Sequence, residues 1–160
     1  MSQPDGGALH DMPDPVAVRD IELAATKDLR ARVLRSHIPG SPAHASSDDL
    51  PDTWHLGAFR GDRLVGVVTV FPQSAPGHSG APAQRFRFMA VEPSEQGGGA
   101  GTALMSEVMA RARARGDRLL WANGRDTALD FYVGLGFEVV GDSFTDATSN
   151  LPHHVVVLAL

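Results

Sequence analysis

Residues Gln96-Gly97-Gly98-Gly99-Ala100-Gly101-Thr102 place four glycines within five positions, directly before a segment of helical periodicity. Ordering so many glycines is entropically costly. The residue is favoured where the backbone takes a positive φ or approaches a ligand closely. A strand, a glycine turn and a helix start together make an anion site, because unpaired N–H groups and the positive end of the helix dipole converge there. A P-loop needs a Lys after its last glycine, and none follows here. A dinucleotide fingerprint needs a third glycine at a position held by Thr102 in one register and Leu104 in the other. A bare tight turn would need one or two glycines rather than four.

The elements around this turn read clearly. VAVRDIEL is a first strand, and Thr26 can cap a helix running to about His37. The Pro/Ser/Asp-rich stretch 38–52 is a loop. TWHLGAFRGDRLVGVVTVF is a hairpin turning at Arg60–Arg63, and 72–83 is a second loop. In the strand 84–91, alternation sets Phe86, Phe88 and Ala90 on one side and Arg85, Arg87, Met89 and Val91 on the other. Ala100, Leu104, Met105, Val108 and Ala112 then form one face of a helix over 100–115. RLLWA is a buried strand. Thr127 can cap a helix over 128–135, and FEVVGDSF and HVVVLAL are the last two strands. The order β-α-β-β-β-α-β-α-β-β indicates an α/β domain with its sheet covered on both faces.

Coenzyme A is the third ligand class, and here the residues resemble the GNAT superfamily of N-acetyltransferases. That family's [QR]xxGx[GA] signature stands as Gln96 to Gly101 after FMAV. Its second block, an Ala, then Phe-Tyr, then Gly-Phe, stands as Ala128, Phe131-Tyr132 and Gly136-Phe137. The resemblance implies the GNAT fold: a mixed, mostly antiparallel central sheet with helices on both faces. It spans a single domain over 16–160, with 1–15 expected to be a disordered tail. It implies acetyl-CoA as cosubstrate, the pyrophosphate cradled by backbone N–H groups from Gly97 to Thr102, and the pantetheine arm paired with the backbone at Met89, Ala90 and Val91. Asn123 would serve in place of an Asn that the family carries where this chain has Arg125. The acceptor would be the primary amine of a small molecule or peptide, attacked in a ternary complex. Two rivals share the fold: use of another acyl-CoA, and an acyl-CoA sensor without catalysis. Dimers are common in the family.

Amine acylation needs a neutral amine, a polarised carbonyl and a stabilised thiolate. Ala128, Phe131 and Leu135 form a core stripe that leaves Tyr132 at its edge, where the hydroxyl can reach a cleft and protonate the thiolate. Two residues stand as the base. His153 opens the last strand, and imidazole titrates near neutral pH; the alternative is a surface histidine. Glu92 follows the strand 84–91, where a capping role competes with catalysis. Arg87 either pairs with an internal carboxylate or orients an anionic group of the substrate, and it and His153 are the expected acceptor contacts.

Composition narrows the field further. The 160 residues are 42% hydrophobic and 21% charged with a net charge of −5, a profile of a globular domain and not of a general nucleic-acid binder. Arginine supplies 13 of the 14 cations, with Lys27 the exception. The absence of cysteine excludes disulfides, thiolate metal sites and a Cys nucleophile. His37, His44, His55 and His78 lack metal-ligand spacing, so no metal is expected. No run is apolar enough for a membrane span or signal peptide, and a cytoplasmic location is the expectation.

Overall fold

The computed structural model describes residues 14–160; the expected tail over 1–15 falls, up to residue 13, outside them. The elements follow the order read from the sequence: β1 (Val16–Asp20), α1 (Leu23–Leu29), β2 (Trp54–Arg60), β3 (Arg63–Pro72), β4 (Ala83–Val91), α2 (Ala100–Ala114), β5 (Leu119–Arg125), α3 (Leu129–Gly134), β6 (Glu138–Thr145) and β7 (Pro152–Ala159). All seven strands form one sheet in the order β1-β2-β3-β4-β5-β7-β6. Every neighbouring pair is antiparallel except β4 and β5.

Helices cover both faces. Leu104, Met105 and Val108 of α2 are fully buried against Leu56, Val68, Phe86 and Leu120, and Tyr132 and Phe137 join the same cluster. On the opposite face Leu29 of α1 packs on Val67 and Ala90. Fully burying such side chains stabilises by about 1.5–3 kcal/mol each. No helix among the described residues is long and apolar enough to cross a membrane.

Two features of β4 set the geometry of the cleft. Its parallel pairing with β5 ends at Arg85 opposite Trp121. Beyond that point the strands separate, so the β5-facing edge of β4 has no strand partner among the described residues. The second feature is a bulge. Arg87 pairs with Thr69 and Ala90 with Val67, so Phe88 and Met89 together oppose Val68. Phe88 takes φ +54° to accommodate the extra residue.

The bulge corrects the simple alternation. Ala90 faces α1, whereas Phe86, Met89 and Val91 pack into the α2 cluster. Arg87 lies across from Thr69 on the α1 face, because directly paired residues point the same way. Arg87 and Met89 are therefore on opposite faces.

The capping expectations also change. Thr26 is buried within α1, its hydroxyl donating back to the Leu23 carbonyl at 2.7 Å, and the helix starts three residues earlier. A π-helical segment, Arg30–Leu34, continues it. Thr127 sits in a 3-10 turn, Asp126–Ala128, and no side chain caps α3.

Candidate active site

The glycine turn enters α2 through Gly99, whose φ of +91° marks the helix N-cap. An L side chain there is strained even though its Cβ would meet no atom within 4 Å. Gly98 is constrained differently. Arg60 Nη2 donates to the Gly98 carbonyl at 2.7 Å, and a Cβ at Gly98 would stand 2.8 Å from that nitrogen. The glycines thus serve the backbone and its Arg60 brace as well as the approach of a ligand. Glu95, the acid beside the turn, is held by Arg60 at 2.6 Å and by Arg63. The first turn of α2 carries no acidic side chain, and Glu95, which also lines the cleft, is neutralised by its two arginines. The positive end of α2 at Ala100, Gly101 and Thr102 is thus left open to an anion.

From this turn a cleft of about 740 Å³ runs into the gap between β4 and β5, a volume typical of ligand sites. Gln96, Gly97, Gly99, Ala100, Gly101 and Thr102 line one end, and Met89, Val91 and Asn123 line the middle. Gln96 Nε2 approaches the Val91 carbonyl at 3.4 Å. Gly98 does not line the cleft, nor does Ala90, whose methyl is turned into the α1 cluster by the bulge.

Tyr132 lines the same cleft. Its ring is set by Phe86, Phe131 and Phe137, at centroid distances of 5.5, 5.4 and 5.7 Å. It therefore belongs to the core cluster, where the stripe alone predicts an edge position. Burial raises its pKa to about 12, and the Arg125 charge acts against that rise. The hydroxyl stays protonated at neutral pH and makes no hydrogen bond among the described residues.

His153 enters the cleft from β7. It pairs with Arg125 of β5 and Phe144 of β6, and its ring lies 6.1 Å from that of Phe144. Nδ1 is 2.8 Å from the Leu151 carbonyl. A carbonyl only accepts, so Nδ1 carries the hydrogen and the neutral ring keeps its lone pair on Nε2. Only 6% of the residue is exposed, which removes the reading of a surface histidine.

Glu92 lies elsewhere. Its carboxylate takes a bidentate pair from Arg32, at 2.6 and 2.8 Å, and it does not line the cleft. The Arg32 hydrogen bonds hold its pKa below the usual carboxylate value, the opposite of what a base near neutral pH requires. The structure gives Glu92 a bridging role between β4 and the π-helical segment, and this corrects its candidacy as base.

Arg87 lines the cleft without the internal carboxylate partner that sequence left open. Arg35, Arg85 and Arg125 join it there, and Asp146 is the acid among them. Arg35 follows the π-helical segment and Arg125 ends β5. Arg125 stands out in the sequence only as a departure from the family's Asn, and no local signal brings the two together, since the Arg125–Leu34 bond spans 91 residues. No group of three His, Cys, Asp or Glu side chains able to hold a metal occurs among the described residues.

The family model described as an acetyltransferase (GNAT) domain matches residues 36–153. The chain belongs to the GNAT acetyltransferase family. This GNAT protein is 27% identical over 140 residues to YitI of Bacillus subtilis (strain 168), an uncharacterized N-acetyltransferase, covering 88% of the chain and 93% of that relative. Among solved structures it resembles a putative N-acetyltransferase from Lactobacillus plantarum, with a TM-score of 0.75, 18% identity, and 92% and 99% of the two chains covered. An aminoglycoside 6'-N-acetyltransferase complexed with coenzyme A gives a TM-score of 0.67 at 18% identity, with 89% and 96% covered. These likenesses carry the GNAT acyl-CoA N-acyltransferase fold. As a GNAT enzyme the protein is an acyl-CoA-dependent N-acyltransferase, and GNAT enzymes act on amine acceptors.

Proposed function

We propose that the chain acetylates a primary amine, with acetyl-CoA as donor and direct attack in a ternary complex. The observation that carries this reading is the cleft itself. One end is the N-terminus of α2, whose own first turn holds no acid and whose neighbour Glu95 is paired with Arg60 and Arg63, and this suits a pyrophosphate. The middle is the unpaired edge of β4, to which an amide-rich arm can add as a strand would. The far end brings a neutral phenol and an imidazole lone pair to the gap from opposite faces of the sheet.

Acetyl-CoA supplies the thioester. His153 Nε2 takes the proton of the attacking amine, and Tyr132 gives its proton to the departing sulfur as the C–S bond breaks. A backbone N–H of the Met89–Val91 segment accommodates the charge that develops on the carbonyl oxygen. Asn123, at the β5 side of the gap, lies beside the same path.

Thermal unfolding with ligands tests the donor. Acetyl-CoA at 100 times its Kd adds about 2.7 kcal/mol of stability, whereas NAD and ATP at equal concentration leave Tm unchanged. Equal shifts with NAD or ATP would overturn the assignment. Release of CoA thiol on adding an amine separates an enzyme from a sensor. Comparison of acetyl-, propionyl- and succinyl-CoA separates the donors.

A further inference from the structure

The arginines of this chain fall into three groups. Arg30, Arg32, Arg60, Arg63 and Arg111 pair with carboxylates. Arg19, Arg113, Arg115 and Arg118 are exposed. Arg35, Arg85, Arg87 and Arg125 are neither: all four line the cleft, none is exposed, and none forms an ion pair among the described residues.

Their contacts are neutral ones. Arg87 stacks on the Phe88 ring at 5.0 Å and makes no hydrogen bond among the described residues. Arg85 lies over the Trp121 ring at 4.8 Å and donates to Gln73 Oε1 at 2.9 Å, while its Nε is buried without an acceptor. Arg125 and Arg35 both donate to the Leu34 carbonyl, at 2.5 and 3.2 Å. Burial lowers the pKa of each, to about 10 for Arg85, and neighbouring guanidiniums lower those of Arg35, Arg85 and Arg87 further, while the Asp146 carboxylate acts against the shift at all four. Asp146, the acid nearest this group, is already occupied by the Thr148 hydroxyl at 2.7 Å and the Ser149 N–H at 2.8 Å. Four half-buried or buried cations share this part of the cleft with a single carboxylate, Asp146, and the excess positive charge is costly unless an anion completes the site.

The coenzyme phosphates are not that anion. The cluster lies on the α1 face: Arg87 is opposite Thr69, whose hydroxyl binds Arg30 of the π-helical segment, and Arg125 reaches Leu34 of the same segment. The glycine turn leads into α2 on the opposite face. His153 pairs with Arg125, which sets the basic cluster beside the proposed base.

We infer that the acceptor amine also bears one or more oxyanion groups, carboxylate or phosphate, gripped by Arg87, Arg85, Arg125 and Arg35 while its nitrogen is presented to His153. The inference rests on the acyl-transfer reading of the cleft. Arginine forks match both oxyanions bidentately.

Calorimetry on the full chain saturated with CoA tests it, using succinate and inorganic phosphate as probes. Saturable binding of at least one anion is expected. Arg87→Met weakens that binding at least tenfold and leaves the CoA Kd within twofold; if this variant does not fold, Arg85→Met replaces it. Absence of anion binding, or binding unchanged in the variant, overturns the inference. Acceptor pairs then distinguish the sources: glycine against glycinamide for a carboxylate, phosphoethanolamine against ethanolamine for a phosphate. At least tenfold higher kcat/KM for the anionic member of one pair supports the inference. Equal use of the neutral members, with CoA still bound, overturns it alone. Failure to bind CoA overturns the acyl-transfer reading and the inference with it. If neither pair turns over, the anion-binding result decides.

Discussion

Replacing Tyr132 with Phe removes one oxygen and leaves the ring packed among Phe86, Phe131 and Phe137. The hydroxyl makes no protein hydrogen bond among the described residues, so stability at pH 8 should stay within about 0.5 kcal/mol of wild type. At higher pH the two proteins should diverge. Burial raises the Tyr132 pKa from 10.0 to about 12, which means the unfolded chain ionises first. A raised phenol pKa contributes stability that is complete below the unfolded value and is lost as pH climbs toward the folded one. At pH 11 the unfolded tyrosine is about 90% ionised and the folded one about 10%, so wild type should lose about 1.4 kcal/mol that Tyr132→Phe does not. The chain has a single tyrosine, so tyrosinate absorbance reports this residue alone. Urea unfolding of both proteins at pH 8, 10 and 11 gives the free energies. In the transfer assay, kcat should fall roughly 10²-fold with the acetyl-CoA KM unchanged, because the proton is needed only as thiolate develops. A tyrosinate midpoint near 10 in the folded protein would refute the burial argument. A Tyr132→Phe enzyme with full kcat would refute the role of the proton.

The remaining predictions concern the rest of the cleft. Gly99→Ala should cost about 1–2 kcal/mol of stability from its positive φ, measured by urea unfolding, and should also weaken acetyl-CoA at least tenfold because the new methyl enters the cleft. His153→Ala should flatten the acidic limb of the kcat/KM profile, since that limb reports protonation of the base; an unchanged limb would move the role to water. Glu92→Gln should keep kcat within twofold of wild type, as its carboxylate serves Arg32; a loss of more than tenfold with unchanged folding would restore it as a base. Burial opposes the charge of Asp146, but bonds from Thr148 and Ser149 outweigh it and hold the pKa well below 3.8. Its carboxylate therefore contributes stability above about pH 4 that fades as pH falls further, so Asp146→Asn should lose less stability than wild type between pH 6 and pH 3.

What the sequence determined was local. Helical spacing from Ala100 to Ala112 and the glycines before it fix where α2 starts and which face it buries, because both depend on neighbours within a turn or two. The order of strands and helices is likewise a matter of alternation and turns, and Tyr132 is marked by the stretch from Ala128 to Phe137. Distant pairings settled the rest. The bulge at Phe88 exists only against Val68 of β3, and it alone decides that Arg87 faces α1 while Met89 faces the α2 cluster. The split between β4 and β5 arises because β5 takes β7 as its long partner, over Leu119–Arg125, and meets β4 at only three positions. Thr26 reads as a cap from its neighbours, yet the packing of α1 buries it. Glu92 reads as a base or a cap until Arg32, 60 residues away, takes its carboxylate. Side-chain charge is written in the sequence, but whether a charge is paired is a property of the space around it. Arg85 and Arg87 stand without an ion pair because the residues paired with them, Phe71 and Thr69 of β3 and Trp121 of β5, carry no charge, and no periodicity within β4 records that.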